Sequence, residues 1–194
     1  MKKMKKSIMS LALSAAMIAS SFNANVLAYE AVETSDTKVY GYNNGNAQLN
    51  MELYARYNSG ALCEDGGSME IVEYNSVNGY AYAVSGLKGT IVSMKLYGVS
   101  NNDTVTALTG IDYDVKALVE GAEEMKGFVY GDTTSIAISP DGTKLAASIQ
   151  HSDYDKSGVV AVFDCNGDGT ISNPKLYPTG IQPDMVTFAS NNVI

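Results

Sequence analysis

Residues 133–149 read TTSIAISPDGTKLAASI. Ile136 and Ile138 alternate with small or polar residues, Pro140-Asp141-Gly142 follows, and Leu145 to Ile149 runs back. Proline presets its own φ, aspartate bonds the backbone ahead of it, and glycine takes the positive φ that closes a turn. An Asp-Gly step between alternating apolar runs predicts a β-hairpin. The pattern recurs upstream in MEIVEYNSVNGYAYAVS, residues 69–85, around Asn78-Gly79. It recurs downstream in MVTFASNNVI, residues 185–194, around Asn191-Asn192. Three copies of one hairpin predict a repeat architecture.

Between the hairpins the chain supplies further short strands. Leu49 to Tyr57 alternates Leu49, Met51, Leu53, Ala55 and Tyr57 on one side, as a half-buried strand does. Thr90 to Tyr97 and Val159 to Asp164 read as strands, and Ile171 and Leu176 belong to an edge strand before Pro178. Val99 to Thr109 reads as a polar connection, and Ile111 to Gly127 as either a helical insert or a strand plus loop. Each complete unit then holds about four strands with turn residues at its corners, the pattern of a propeller blade. The fold expected is all-β: a partial β-propeller of about two four-stranded antiparallel blades plus the start of a third. A two-sheet sandwich is the alternative, though it does not predict a repeated hairpin. Because a propeller closes with about four blades or more, the chain is expected to be truncated. C-terminal blades, or another chain, would be needed to close it.

Composition narrows the classes. The chain is 45% hydrophobic and 18% charged, which is globular rather than disordered. Its formal net charge of -8 argues against a nucleic-acid partner, which needs a basic face. Residues 1–28 read as a signal peptide: Lys2, Lys3, Lys5 and Lys6, then an apolar run from Ile8 to Ser20, then Val26-Leu27-Ala28 at the cleavage site. The Lys-rich start looks bacterial. No second apolar span follows, so no membrane span is expected after signal cleavage. Residues 29–48, Gly- and Asn-rich, read as a flexible N-terminal arm, and residues 49–194 as the incomplete propeller domain. The location expected is secreted or at the cell surface.

The sharpest chemical signal is Asp164-Cys165-Asn166-Gly167-Asp168-Gly169-Thr170-Ile171. Asp164, Asn166, Asp168 and Thr170 place oxygens at alternate positions with a glycine sixth, as at the start of a calcium loop. The twelfth position is Lys175, where such a loop needs a carboxylate. A Gly-rich hairpin turn explains the same residues, so calcium binding and a plain turn both stand. His151-Ser152-Asp153 superficially offers a base and a nucleophile, but adjacent residues rarely face each other, and no catalytic residue is assigned. Glu120, Glu123 and Glu124 read as a solvated face. Glu64-Asp65 and Asp153 to Asp155 are loop acids suited to a propeller mouth. Tyr74, Tyr80 and Tyr82 read as sheet packing. Cys63 and Cys165 permit a disulfide in an exported protein, or stand as two unpaired thiols. No phosphate loop, dinucleotide fingerprint or zinc spacing occurs.

Several phrases carry a family resemblance: Glu70-Ile71-Val72-Glu73-Tyr74, Gly79 to Val84, Thr134 to Ile138, Gly158 to Asp164 and, most specific, Gly180-Ile181-Gln182-Pro183-Asp184-Met185-Val186-Thr187-Phe188. Over Leu49 to Ile194 the chain resembles the N-terminal portion of choice-of-anchor I propellers, also called mesenchyme-specific cell-surface glycoprotein-like. The resemblance implies a secreted or surface-displayed β-propeller, often part of a wall-attached protein and sometimes joined to phosphatase- or nucleotidase-like domains. It also implies that the first strand completes the last blade, and it transfers no catalytic residue. Asn191-Asn192 departs from the family's usual Asp-Gly turn. The function expected is binding or structural, with an unknown cell-wall or protein partner and no catalysis of its own. The alternative is part of a calcium-dependent, phosphoesterase-like propeller hydrolase.

Overall fold

The computed structural model describes residues 39–43, 48–60, 69–99 and 105–194. The signal segment, most of the arm at 29–48, the loop acids Glu64-Asp65 and Cys63 lie outside the described residues. Two compact units divide at Leu53 and Tyr54. In the first, β1 (Val39–Asn43) pairs antiparallel with β2 (Gln48–Glu52), in register from Val39 opposite Glu52 to Asn43 opposite Gln48.

The second unit holds two four-stranded antiparallel meanders. The first sheet consists of β4 (Val72–Asn75), β5 (Tyr80–Ser85), β6 (Thr90–Lys95) and β8 (Gly110–Asp114), in that order. The second consists of β9 (Tyr130–Ile138), β10 (Lys144–His151), β11 (Ser157–Cys165) and β12 (Ile171–Ile181). Both hairpins read around Asn78-Gly79 and Pro140-Asp141-Gly142 are present, and both glycines take positive φ, +79° and +71°. No sheet among the described residues closes on itself.

Alternation puts one face of each sheet into a shared core. Tyr82, Val84 and Ile91 of the first sheet join Ile136, Leu145, Ala147, Ile149, Val159, Ala161 and Phe163 of the second in one buried cluster. Burying one such Leu or Ile contributes about 1.5–3 kcal/mol. The opposite face of the first sheet, Ala81, Ala83, Val92 and Met94, is covered by Tyr57, Met69, Leu96 and Leu108.

Other elements depart from the sequence reading. The single strand expected over Leu49 to Tyr57 is split: β3 (Ala55–Tyr57) leaves β2 and pairs parallel with β7 (Thr106–Leu108), inside what reads as a polar connection. Pairing across about fifty residues has no local signature. Ile111 to Gly127 holds both alternatives in turn: β8, then α1 (Val115–Gly121), with the Asp114 carboxylate accepting from the Ala117 amide at 2.7 Å as its N-cap. The third hairpin is reduced to one bridge, Ser190 to Val193, around the expected Asn191-Asn192 turn. Residues 185–189 form no ladder: Val186 is buried on Ala137 and Ala146 and Phe188 packs beside it, while Met185 is exposed. At the rim of the second sheet, β12 is an edge strand containing Pro174 and Pro178.

Candidate functional site

Several polar side chains lie where the turns of the second sheet meet the first. In the β9–β10 turn the Ser139 carbonyl accepts from the Gly142 amide at 2.8 Å. The Asp141 carboxylate accepts from the Ser139 hydroxyl at 2.7 Å and from the Thr143 amide and hydroxyl at 3.0 and 2.8 Å. These donors, Ser139 foremost, hold the Asp141 carboxyl below its ordinary range.

Four side chains of the first sheet reach the backbone of the second. Asn75 Nδ2 donates to the Gly142 carbonyl at 2.8 Å, and Asn78 Nδ2 to the Asn166 carbonyl at 2.9 Å. Ser93 Oγ donates to the Gly169 carbonyl at 2.7 Å, and the Tyr113 hydroxyl accepts from the Ile171 amide at 3.0 Å. The approach is close enough to require glycine. A Cβ on Gly142 would lie 2.6 Å from Asn75 Oδ1 and from Val77, and one on Gly169, at φ +82°, would overlap the Tyr80 ring. The turn pattern revealed Asn78 and both glycines, but nothing in local spacing reveals that Asn75, Ser93 and Tyr113 hold the sheets together.

The four oxygen-bearing residues of the calcium-like loop are placed in two groups. Asp164 lies on the far face of the second sheet, where its carboxylate pairs with Lys144 Nζ and accepts from Asn173 Nδ2 at 2.8 Å. Lys144 foremost, then Asn173, hold the Asp164 carboxyl low. In the β11–β12 turn, Asp168 accepts from the Thr170 hydroxyl and amide at 2.6 and 3.0 Å, which lowers its carboxyl too. Asn166 Nδ2 donates to Thr170 Oγ1 at 2.9 Å. The turn is thus tied by its own side chains, and Asp164 is held apart from it. Among the described residues no three His, Cys, Asp or Glu side chains gather as cation ligands.

Cys165 is a free thiol packed against the shared core. Burial pushes it up to about 11, and burial pushes its neighbour Tyr82 up to about 12. Of the three tyrosines read as packing, Tyr82 is fully buried, Tyr80 is partly buried and Tyr74 is exposed.

His151 is buried, its ring edge-on to Phe128 with centroids 5.1 Å apart. Its Nδ1 accepts from the Asp153 amide at 2.8 Å, so the imidazole stabilises its own loop rather than facing Ser152. Glu120, Glu123 and Glu124 are exposed, as read, and Glu120 also accepts from the Tyr130 amide at 3.0 Å. Asp132, beside Gly86, has its carboxyl raised by burial and by the Glu70 charge, while its Oδ1 accepts from the Thr133 amide at 2.8 Å.

The far face of the second sheet carries a groove of about 640 Å3, lined by Val160, Val162, Tyr177 and Phe188 with Lys144 and Asn191 at its side. Val160 and Val162 are the outward half of the alternation that buries Val159, Ala161 and Phe163.

No helix among the described residues is long and apolar enough to cross a membrane. No curated protein matches the chain, and no solved structure does. Residues 70–193, more than half of the chain and spanning both four-stranded sheets and the groove-lining segment after them, match the family model of the choice-of-anchor I domain. The chain belongs to the choice-of-anchor I domain family.

Proposed function

We propose that the chain is a binding or structural module of an exported, cell-surface protein, without catalysis of its own. On this reading the two meanders are consecutive blades of a β-propeller and residues 185–194 begin a third. Residues 1–28 direct export, and the partner is a cell-wall component or another protein. Family membership supports a place at the cell surface. The observation that carries the non-catalytic role is the commitment of the turn groups. Asn75, Asn78 and Ser93 bond backbone across the sheets, and Asp141 and Asp168 close their own turns. Catalysis instead needs a nucleophile, a base or a metal aimed at a substrate position.

The alternative is a calcium-dependent, phosphoesterase-like propeller hydrolase that uses Asp164, Asn166, Asp168 and Thr170 as ligands. The tight backbone around Gly169 favours it. It requires Asp164 to leave Lys144 and Asn173. Purified chain is incubated with generic phosphomonoesters and phosphodiesters, with calcium and with chelator. No turnover is expected in either. Turnover abolished both by chelation and by Asp168→Ala would replace the proposed reading with the alternative.

A further inference from the structure

We propose that Asn166 is a self-modification site, where the side-chain amide is lost as ammonia and the residue ends as aspartate or isoaspartate. The sequence holds three Asn-Gly steps: Asn44-Gly45, Asn78-Gly79 and Asn166-Gly167. The first lies outside the described residues. The other two share one local chemistry, and the fold treats them in opposite ways.

The Gly167 backbone nitrogen gives up its proton and attacks Asn166 Cγ. An N–C bond forms, the Cγ–Nδ2 bond breaks, and the amide leaves with that proton as ammonia. Water then opens the five-membered ring. Opening at Cγ gives aspartate, and opening at the Asn166 main-chain carbon gives isoaspartate. The reaction needs an uncommitted backbone nitrogen, a side chain free to swing onto it, and water. A following glycine, with no Cβ, leaves the approach open.

At Asn78 the fold withholds all three. The Gly79 amide donates to the Asn75 carbonyl at 2.8 Å. Asn78 Oδ1 accepts from the Tyr80 amide at 3.0 Å, and Nδ2 donates to the Tyr82 hydroxyl and the Asn166 carbonyl, both at 2.9 Å. Gly79 is buried, and a Cβ there would lie 2.6 Å from the Tyr97 Cβ. At Asn166 the restraints are fewer. Among the described residues nothing accepts from the Gly167 amide, and nothing donates to Asn166 Oδ1. The side chain is held at Nδ2 alone, by the Thr170 and Ser172 hydroxyls at 2.9 and 3.3 Å. Gly167 is exposed, with nothing within 4 Å of a Cβ position.

The product changes the junction between the sheets. The Asn166 carbonyl accepts from Asn78 Nδ2 of the first sheet and from the Gly169 amide at 3.0 Å. In isoaspartate the main chain runs through Cβ and Cγ, so the turn gains an atom and that carbonyl becomes a carboxylate outside the chain. In aspartate the donor facing Thr170 and Ser172 becomes an acceptor, two residues from Asp168. Either way the tie to the first sheet ages with the protein.

The full chain is incubated in mildly alkaline buffer, sampled over days and mapped by peptide mass spectrometry, with isoaspartate resolved by chromatography. The Asn166 peptide should convert at least about tenfold faster than the Asn78 peptide, since Asn78 must break more hydrogen bonds to react. In denaturant the two should convert at similar rates. Gly167→Ala keeps the Asn166 side chain and adds a Cβ in open space. It should slow conversion at Asn166 at least about tenfold and leave Asn78 unchanged. Equal rates at the two steps in the folded chain, faster conversion at Asn78, or an Asn166 that converts only in denaturant overturns the proposal.

Discussion

Asn75 and Gly142 stand 67 residues apart in the chain and are joined by a 2.8 Å hydrogen bond from the amide of one to the carbonyl of the other. The same Asn75 side chain accepts from the Val77 amide at 3.0 Å, so one buried residue shapes its own turn and holds the facing one.

Asn75→Ala removes both bonds and leaves the Gly142 carbonyl without that donor, at a cost of about 1–3 kcal/mol. Chemical denaturation of the variant should show its midpoint falling at unchanged slope. A midpoint equal to wild type would mean that the turn, and not this bond, holds the sheets in register.

Gly169→Ala meets two penalties, the left-handed backbone and the Tyr80 ring. The backbone alone costs about 1–2 kcal/mol, and the clash adds to it. Gly167→Ala, two residues away, meets nothing within 4 Å and should stay within about 0.5 kcal/mol of wild type. Equal melting temperatures for the two variants would refute the close approach.

Much of the fold was legible because turn chemistry is local. Ser-Pro-Asp-Gly and Asn-Gly state their φ requirements in four residues, and the strands on either side follow by alternation. Residues 185–194 show where such reading stops. Val186 and Phe188 do alternate, yet they pack onto a sheet instead of pairing in a ladder, and alternation alone cannot tell the two apart. β7 and its pairing with β3 were missed because a three-residue parallel pair depends on distant chain. At the site, Asn166-Gly167-Asp168-Gly169 was legible as a turn. The partners of Asp164, however, come from Lys144 on another strand and Asn173 beyond the turn, and no spacing rule shows them.

Acid should weaken the β9–β10 turn. The Asp141 carboxyl is held below its ordinary range by the Ser139 hydroxyl first and by Thr143 next. A carboxyl lower in the folded than in the unfolded chain stabilises the fold above the unfolded value, and that contribution is lost as pH falls through the folded one. The melting-temperature gap between wild type and Asp141→Ala should therefore be full at neutral pH and shrink below about pH 4. A gap that widens in acid would contradict the assignment.

Asp132 has the opposite sign. Burial, with the Glu70 charge, raises its carboxyl, so its contribution is present below the unfolded value and lost as pH rises through the folded one. Asp132→Asn keeps an oxygen for the Thr133 amide and removes the charge. Its melting temperature should exceed that of wild type at neutral pH, with the difference fading in acid. A variant less stable than wild type at neutral pH would show that the carboxylate is stabilised by contacts other than these.

The two prolines of β12 bear on how the protein behaves when crowded. An edge strand presents unpaired donors and acceptors that template aggregation, and proline interrupts the row by removing a donor. Pro174 and Pro178 sit along the outer rim of the second sheet. Fibril-like growth from that rim is thereby discouraged, so at high concentration neighbouring molecules are kept from zipping together edge to edge.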